Sequence, residues 1–80
     1  MNIRVRLFAQ MTAAAGAGEV LLEVPAGARA GSVRELLAAR FKGLKWPAGT
    51  MLALNQEYAG PEALLHEGDE VAIIPPVSGG

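Results

Sequence analysis

The chain opens on a strict alternation, with Ile3, Val5 and Leu7 apolar and Asn2, Arg4 and Arg6 polar between them. A period of two puts the apolar set on one face of a pleated strand, so this stretch is read as a half-buried strand. Phe8 falls on the outward, polar side of the same alternation. Residues 19–24 repeat the pattern, with Val20, Leu22 and Val24 on one face. Between the two strands, the Ala-rich residues 9–15 read as a short helical turn broken by Gly16-Ala17-Gly18. A connection this short suits an antiparallel pair. After a Gly- and Ala-rich loop at 25–31 the period lengthens, and Val33, Leu36, Leu37 and Phe41 share one helical face. Ser32-Val33-Arg34-Glu35 has the form of a capping box, in which the Ser32 hydroxyl accepts from the Glu35 N–H and the Glu35 side chain reaches back. Arg40 and Lys42 in the last turn suit the helix dipole, and Gly43 is a natural stop.

The second half is read as a loop at 44–49 pinned to the core edge by Trp46-Pro47, then a strand, Met51–Leu54. Asn55-Gln56 makes a turn into a short strand, Glu57-Tyr58-Ala59. Gly60-Pro61 breaks the chain, residues 62–66 form a single turn, and Gly68-Asp69 turns into a final strand at 71–74. In that strand Ile74 faces away from Val71 and Ile73. The order is strand, strand, helix, strand, short strand, strand. It predicts an α+β domain over residues 1–74, with one main helix packed across a mixed sheet and the last strand parallel beside the first. That is the β-grasp arrangement of ubiquitin.

Residues 75–80 are expected to form a flexible tail, Pro75-Pro76-Val77-Ser78-Gly79-Gly80. Two prolines lack backbone donors and end the ladder in an extended exit. The two glycines leave a thread of backbone width, slim enough to enter a narrow channel.

Composition narrows the chemistry. The chain has 80 residues, 51% of them hydrophobic, and no cysteine, which rules out disulfides, thiol nucleophiles and thiolate metal sites. His66 is the only histidine, so a His-based metal cluster cannot be built. Ser32 is read as a helix cap and Ser78 has no base nearby, which leaves no serine triad. Glu67, Asp69 and Glu70 cluster at a turn and read as a solvated loop, or as an acidic patch facing a basic partner. A net charge of −1 without a basic block argues against nucleic-acid binding. No signal sequence and no apolar run of about 20 residues is present, so a cytoplasmic protein without membrane association is expected. No side chain equips the domain as an independent enzyme. The reactive group expected is then the carboxylate of Gly80, inert as it stands, which conversion by ATP to an acyl-adenylate would make an acyl donor and attack by a sulfur nucleophile would turn into a thiocarboxylate.

Three blocks resemble one family. They are Val5-Arg6-Leu7-Phe8-Ala9-Gln10, Ala53-Leu54-Asn55-Gln56 and the stretch from Gly68-Asp69-Glu70-Val71 to Pro75-Pro76-Val77-Ser78-Gly79-Gly80. In order and spacing they resemble the small, sulfur-carrying subunit of molybdopterin synthase, of the MoaD/ThiS family. Pro75-Pro76 and Phe8-Ala9-Gln10 set this pattern apart from thiamine-pathway carriers, tRNA-thiolation carriers and ubiquitin-related modifiers, which are the alternative functions of such a fold. The resemblance implies that an adenylating enzyme, MoeB-like, activates Gly80 with ATP and Mg²⁺, and that a sulfur donor then forms the thiocarboxylate. It also implies a hetero-oligomer, two-plus-two, with a MoaE-like large subunit. The tail from Pro75 through Gly79 enters that subunit, and Gly80 delivers sulfur to cyclic pyranopterin monophosphate for the molybdenum cofactor. On this view the chain is a non-catalytic subunit that binds no cofactor or metal itself. By position, the family's partner surface falls on Phe8, Tyr58 and Ile74. The pattern places Phe8 and Ile74 outward independently. One departure is Ile73-Ile74, where relatives often carry aromatic residues.

Overall fold

A computed structural model of the chain describes residues 1–76. Five strands and two helices occur in the order β1 (Asn2–Arg6), α1 (Gln10–Ala15), β2 (Glu19–Glu23), α2 (Ser32–Arg40), β3 (Met51–Leu54), β4 (Glu57–Ala59) and β5 (Glu70–Ile74). They form one mixed sheet in the order β2-β1-β5-β3-β4. The predicted β-grasp architecture is observed, including the parallel pairing of the first and last strands.

The alternation in the sequence is the cause of this arrangement. Ile3, Val5 and Leu7, with Val20, Leu22, Val24, Val71 and Ile73, line one sheet face and are all nearly inaccessible. Val33 and Leu37 of α2 close over that face, while Met11 of α1 and Leu65 join the same cluster. Among the described residues the buried set is wholly apolar. The β1–β2 pair runs from Asn2↔Glu23 to Arg6↔Glu19, and bonds from Leu7 N to Gly18 O and from Val24 N to Met1 O extend it at both ends.

Three local expectations change. Ser32 does not cap the helix. Gly31 is already helical (φ −63°, ψ −24°), and the Ser32 and Val33 N–H groups donate to the Arg29 and Ala30 carbonyls. The turn ahead of the helix therefore satisfies donors that the capping box would have served. Gly31 itself is required by close approach: its N–H donates to Pro61 O at 2.8 Å, and an added Cβ would lie 2.9 Å from Pro61 Cβ. The helix also ends earlier than expected. Phe41 is extended (φ −119°, ψ 96°) with its side chain packed on the core, so Lys42 lies beyond the helix and Gly43 turns the loop that follows. Finally, the turn expected at 62–66 is confined to residues 60–63, where Ala63 N donates to Gly60 O. Leu64 then bridges Arg29, because the backbone groups of Ala28 and Ala30 find their partners in Leu65 and Ala63.

The β3–β4 turn is tied to the start of β5. Asn55 and Gln56 both have positive φ (51° and 72°), as a tight two-residue hairpin requires. Asn55 Nδ2 donates to Asp69 Oδ1 at 3.1 Å, and Asn55 Oδ1 accepts from Glu70 N at 3.0 Å. Asp69 Oδ2 accepts from His66 N at 2.7 Å. Burial pushes the Asp69 carboxyl up, but the hydrogen bonds from Asn55 and His66 and the nearby imidazole hold it below the usual aspartate range. No helix in the described residues is long and apolar enough to cross a membrane.

Because the folded pKa of Asp69 is depressed, its stabilisation is present above the ordinary aspartate value of about 3.9 and is lost as pH falls through the lowered value. Asp69→Ala should cost about 1–2 kcal/mol near neutral pH, measured by urea unfolding. The gap from wild type should narrow in acid.

Candidate functional site: an apolar concavity at the root of the tail

The sheet face away from α2 is built by the residues the alternation leaves over. One row crosses four strands: Arg6 faces Ala72, Ala72 faces Ala53, and Ala53 faces Tyr58. The two alanines form a low floor, and Ala53 is buried although it lies outside the core cluster. Larger side chains stand around them. Phe8 follows Arg6 at the end of β1, Tyr58 rises from β4, and Ile74 lies two residues along β5 from Ala72. The result is a concavity of about 410 Å³, lined also by Gln56 and Glu70.

Its walls are apolar and exposed: Phe8 is 41% accessible and Tyr58 69%, in a molecule whose other aromatic residues are partly buried. Leaving this much aromatic surface in water favours a partner that covers it. The polar rim is held in place from within. Arg6 Nη1 lies 3.5 Å from Glu70 Oε2, and the Arg6 guanidinium sits 5.8 Å from the centre of the Phe8 ring. An ion pair this exposed adds little stability, but it orients both side chains at the edge of the concavity.

The structure thus brings together the three interface residues expected from sequence, Phe8, Tyr58 and Ile74. Sequence reasoning missed the alanine floor and Met51, which pairs across from Ile74 and is half exposed. The signal was there: Met51 and Ala53 alternate with the core-facing Leu52 and Leu54. Of the expected tail, Pro75 and Pro76 follow directly on Ile74; Val77, Ser78, Gly79 and Gly80 lie outside the described residues.

The acidic turn has a structural role. Glu67 accepts from Asn2 N at 2.9 Å, Asp69 organises the β5 entry, and Glu70 pairs with Arg6. His66 is an exposed loop residue whose imidazole lies 3.7 Å from Asp69.

Residues 5–80 match the family model described as ThiS. The chain belongs to the ThiS family. A molybdopterin synthase sulfur carrier subunit of Chlamydomonas reinhardtii is 41% identical over the whole of both chains. Its counterpart in Arabidopsis thaliana is 36% identical, over all of this chain and 84% of that protein. Among solved structures, SAMP1 from Haloferax volcanii superimposes with a TM-score of 0.84 at 26% identity, covering all of both chains. A putative molybdopterin converting factor subunit 1 from Pyrococcus furiosus gives 0.83 at 29% identity, covering 96% of this chain and 99% of that one. A Helicobacter pylori complex of subunits 1 and 2 of molybdopterin-converting factor contains a chain of the same fold, with a TM-score of 0.69 at 24% identity and full coverage of both.

In this ThiS-family sheet the two faces should respond differently to truncation. Ile73→Ala should cost about 2–5 kcal/mol, whereas Tyr58→Ala should cost less than about 1 kcal/mol, both by urea unfolding. Comparable losses would mean that the outer face belongs to the core.

Proposed function

We propose that the protein is the sulfur-carrying small subunit of a molybdopterin synthase. The observation that carries this reading is the exposed apolar concavity set at the end of the central strand, with Pro75 and Pro76 following Ile74 at its edge. The full-length likeness to sulfur carrier subunits supports the same reading.

In this reading recognition and chemistry are separated along the chain. Phe8, Tyr58 and Ile74, with Met51 beside them, dock the domain, and Pro75, Pro76, Val77, Ser78 and Gly79 carry Gly80 into the partner's active site. An adenylating enzyme binds first. The Gly80 carboxylate attacks the α-phosphorus of ATP, pyrophosphate leaves, and an acyl-adenylate forms. A hydrosulfide equivalent from the sulfur donor then adds to the carbonyl and AMP leaves, giving the thiocarboxylate and a proton. The charged carrier next docks on a large subunit, as subunit 1 does with subunit 2 in the Helicobacter pylori complex. There its sulfur bonds to the pterin precursor, water cleaves the C–S bond to Gly80, and the carrier leaves as the carboxylate. The domain's contribution is positional: a rigid sheet restricts where the terminal carbonyl can reach, which lowers the entropic cost of each transfer.

The likeness to SAMP1, a small archaeal modifier protein, favours a second reading, a protein modifier, beside which stands a sulfur carrier for another pathway. Binding to a molybdopterin synthase large subunit separates the two. Phe8→Asp and Tyr58→Asp should each weaken that complex at least about 10-fold by calorimetry, with the unfolding midpoint little changed. Removal of Gly80 should abolish sulfur transfer while the complex still forms. A wild-type chain that does not bind the large subunit would point to the second reading.

A further inference from the structure

Ala9 breaks two local rules at once. It is the N-cap of α1, yet its side chain makes no capping hydrogen bond, and alanine is among the poorest residues for that place. Its backbone also stands at φ 53° and ψ −136°. That lies outside the left-handed helical region, where ψ is about 30–60°, and close to the first central position of a type II′ turn, which glycine ordinarily fills. Elsewhere among the described residues positive φ falls to glycines and to Asn55 and Gln56 of the β3–β4 hairpin.

The chain is forced into this conformation from both sides. Leu7 ends the β1–β2 ladder with its N–H donating to Gly18 O at 2.8 Å, and its side chain is buried. Met11, at the start of α1, is buried too. The turn between these anchors falls on Phe8, Ala9 and Gln10, where Met11 N donates to Phe8 O at 3.2 Å and Thr12 N to Ala9 O at 3.1 Å. Phe8 is left outward on the wall of the concavity. Ala9 is exposed and lies outside the core cluster, so core packing does not need its methyl group. Stability alone would place glycine here.

What alanine adds is definition. Held at positive φ from both ends, glycine keeps a broad range of φ and ψ, whereas alanine keeps a narrow one because its Cβ meets the neighbouring peptide groups. The peptide between Phe8 and Ala9 is therefore fixed, and with it the direction in which Phe8 leaves the strand. We propose that Ala9 is a positioning residue, which keeps the Phe8 side chain pre-set for docking with some loss of stability. This deepens the proposed function and rests on it. Ala9 acts through Phe8, so that binding need not first order the wall of the concavity.

The test compares the wild-type chain with Ala9→Gly, reading urea unfolding and, by calorimetry, binding to a molybdopterin synthase large subunit. The two readouts should move in opposite senses. Ala9→Gly relieves the strain, so its unfolding midpoint should rise. Its affinity should fall about 3- to 10-fold, the scale of re-ordering one large side chain. Added to Phe8→Ala, the same change should weaken binding by less than about a further twofold, since no ring remains to be positioned. NMR shift titration follows that weaker pair of complexes. A midpoint that does not rise, an affinity equal to wild type, or an undiminished loss in the Phe8→Ala background would overturn the role of Ala9 and leave the carrier reading standing. A wild-type chain that does not bind the large subunit would overturn both.

Discussion

Everything functional in this molecule depends on the parallel pairing of β1 with β5. Parallel neighbours cannot be joined by a tight turn, so the chain must cross over between them, and α2 is the crossover. The pairing then places β5 at the centre of the sheet, flanked by β1 and β3. A central strand is the stiffest mounting the fold offers, since it is hydrogen-bonded along both edges and buried on one face. Its C-terminal end is where Ile74 gives way to Pro75 and Pro76. The same pairing also gathers Phe8, Ala72 and Ile74 from strands distant in sequence, and β3 and β4 add Ala53 and Tyr58. One topological constraint thus produces both the outer concavity and the firm strand on which Pro75 and Pro76 follow.

The inward face is fixed by hydrophobic burial and the outward face by what burial leaves unclaimed. Inside, aliphatic side chains of β1, β2 and β5 meet Val33 and Leu37, with no buried polar side chain among the described residues. Outside, two alanines lower the floor and three large side chains wall it. Core packing would accept any small residue at Ala53 or Ala72, but a large one would fill the concavity. The choice of alanine is therefore explained by the shape of the outer surface better than by stability.

Most of this was legible in the chain. The alternation at Ile3, Val5 and Leu7 placed β1 and its outward Phe8, and the change of period at Val33 marked α2. The central position of β5 followed from the order of elements. What could not be read were features set by contacts between segments far apart in sequence. The Ser32-Glu35 spacing has the form of a capping box, but the contact of Gly31 with Pro61 and the turn at Arg29 start the helix one residue early. Likewise, Gly49 reads as a loop residue, because its placement near Pro76 depends on the β3–β5 register. In the site, Phe8 and Ile74 showed in the local pattern and Tyr58 through family resemblance, whereas the alternation that turns Met51 and Ala53 outward gained its meaning only once the strands were paired.

The central claim is that Gly80 carries sulfur as a thiocarboxylate. The absence of cysteine makes this directly measurable, because no side-chain thiol competes for a thiol-selective alkylating reagent. The full chain, produced alongside its adenylating enzyme and sulfur donor, should take up one alkyl group, and peptide mass spectrometry should place it on Gly80. A chain activated under those conditions that remains unalkylated, with Gly80 an ordinary carboxylate, would contradict the account.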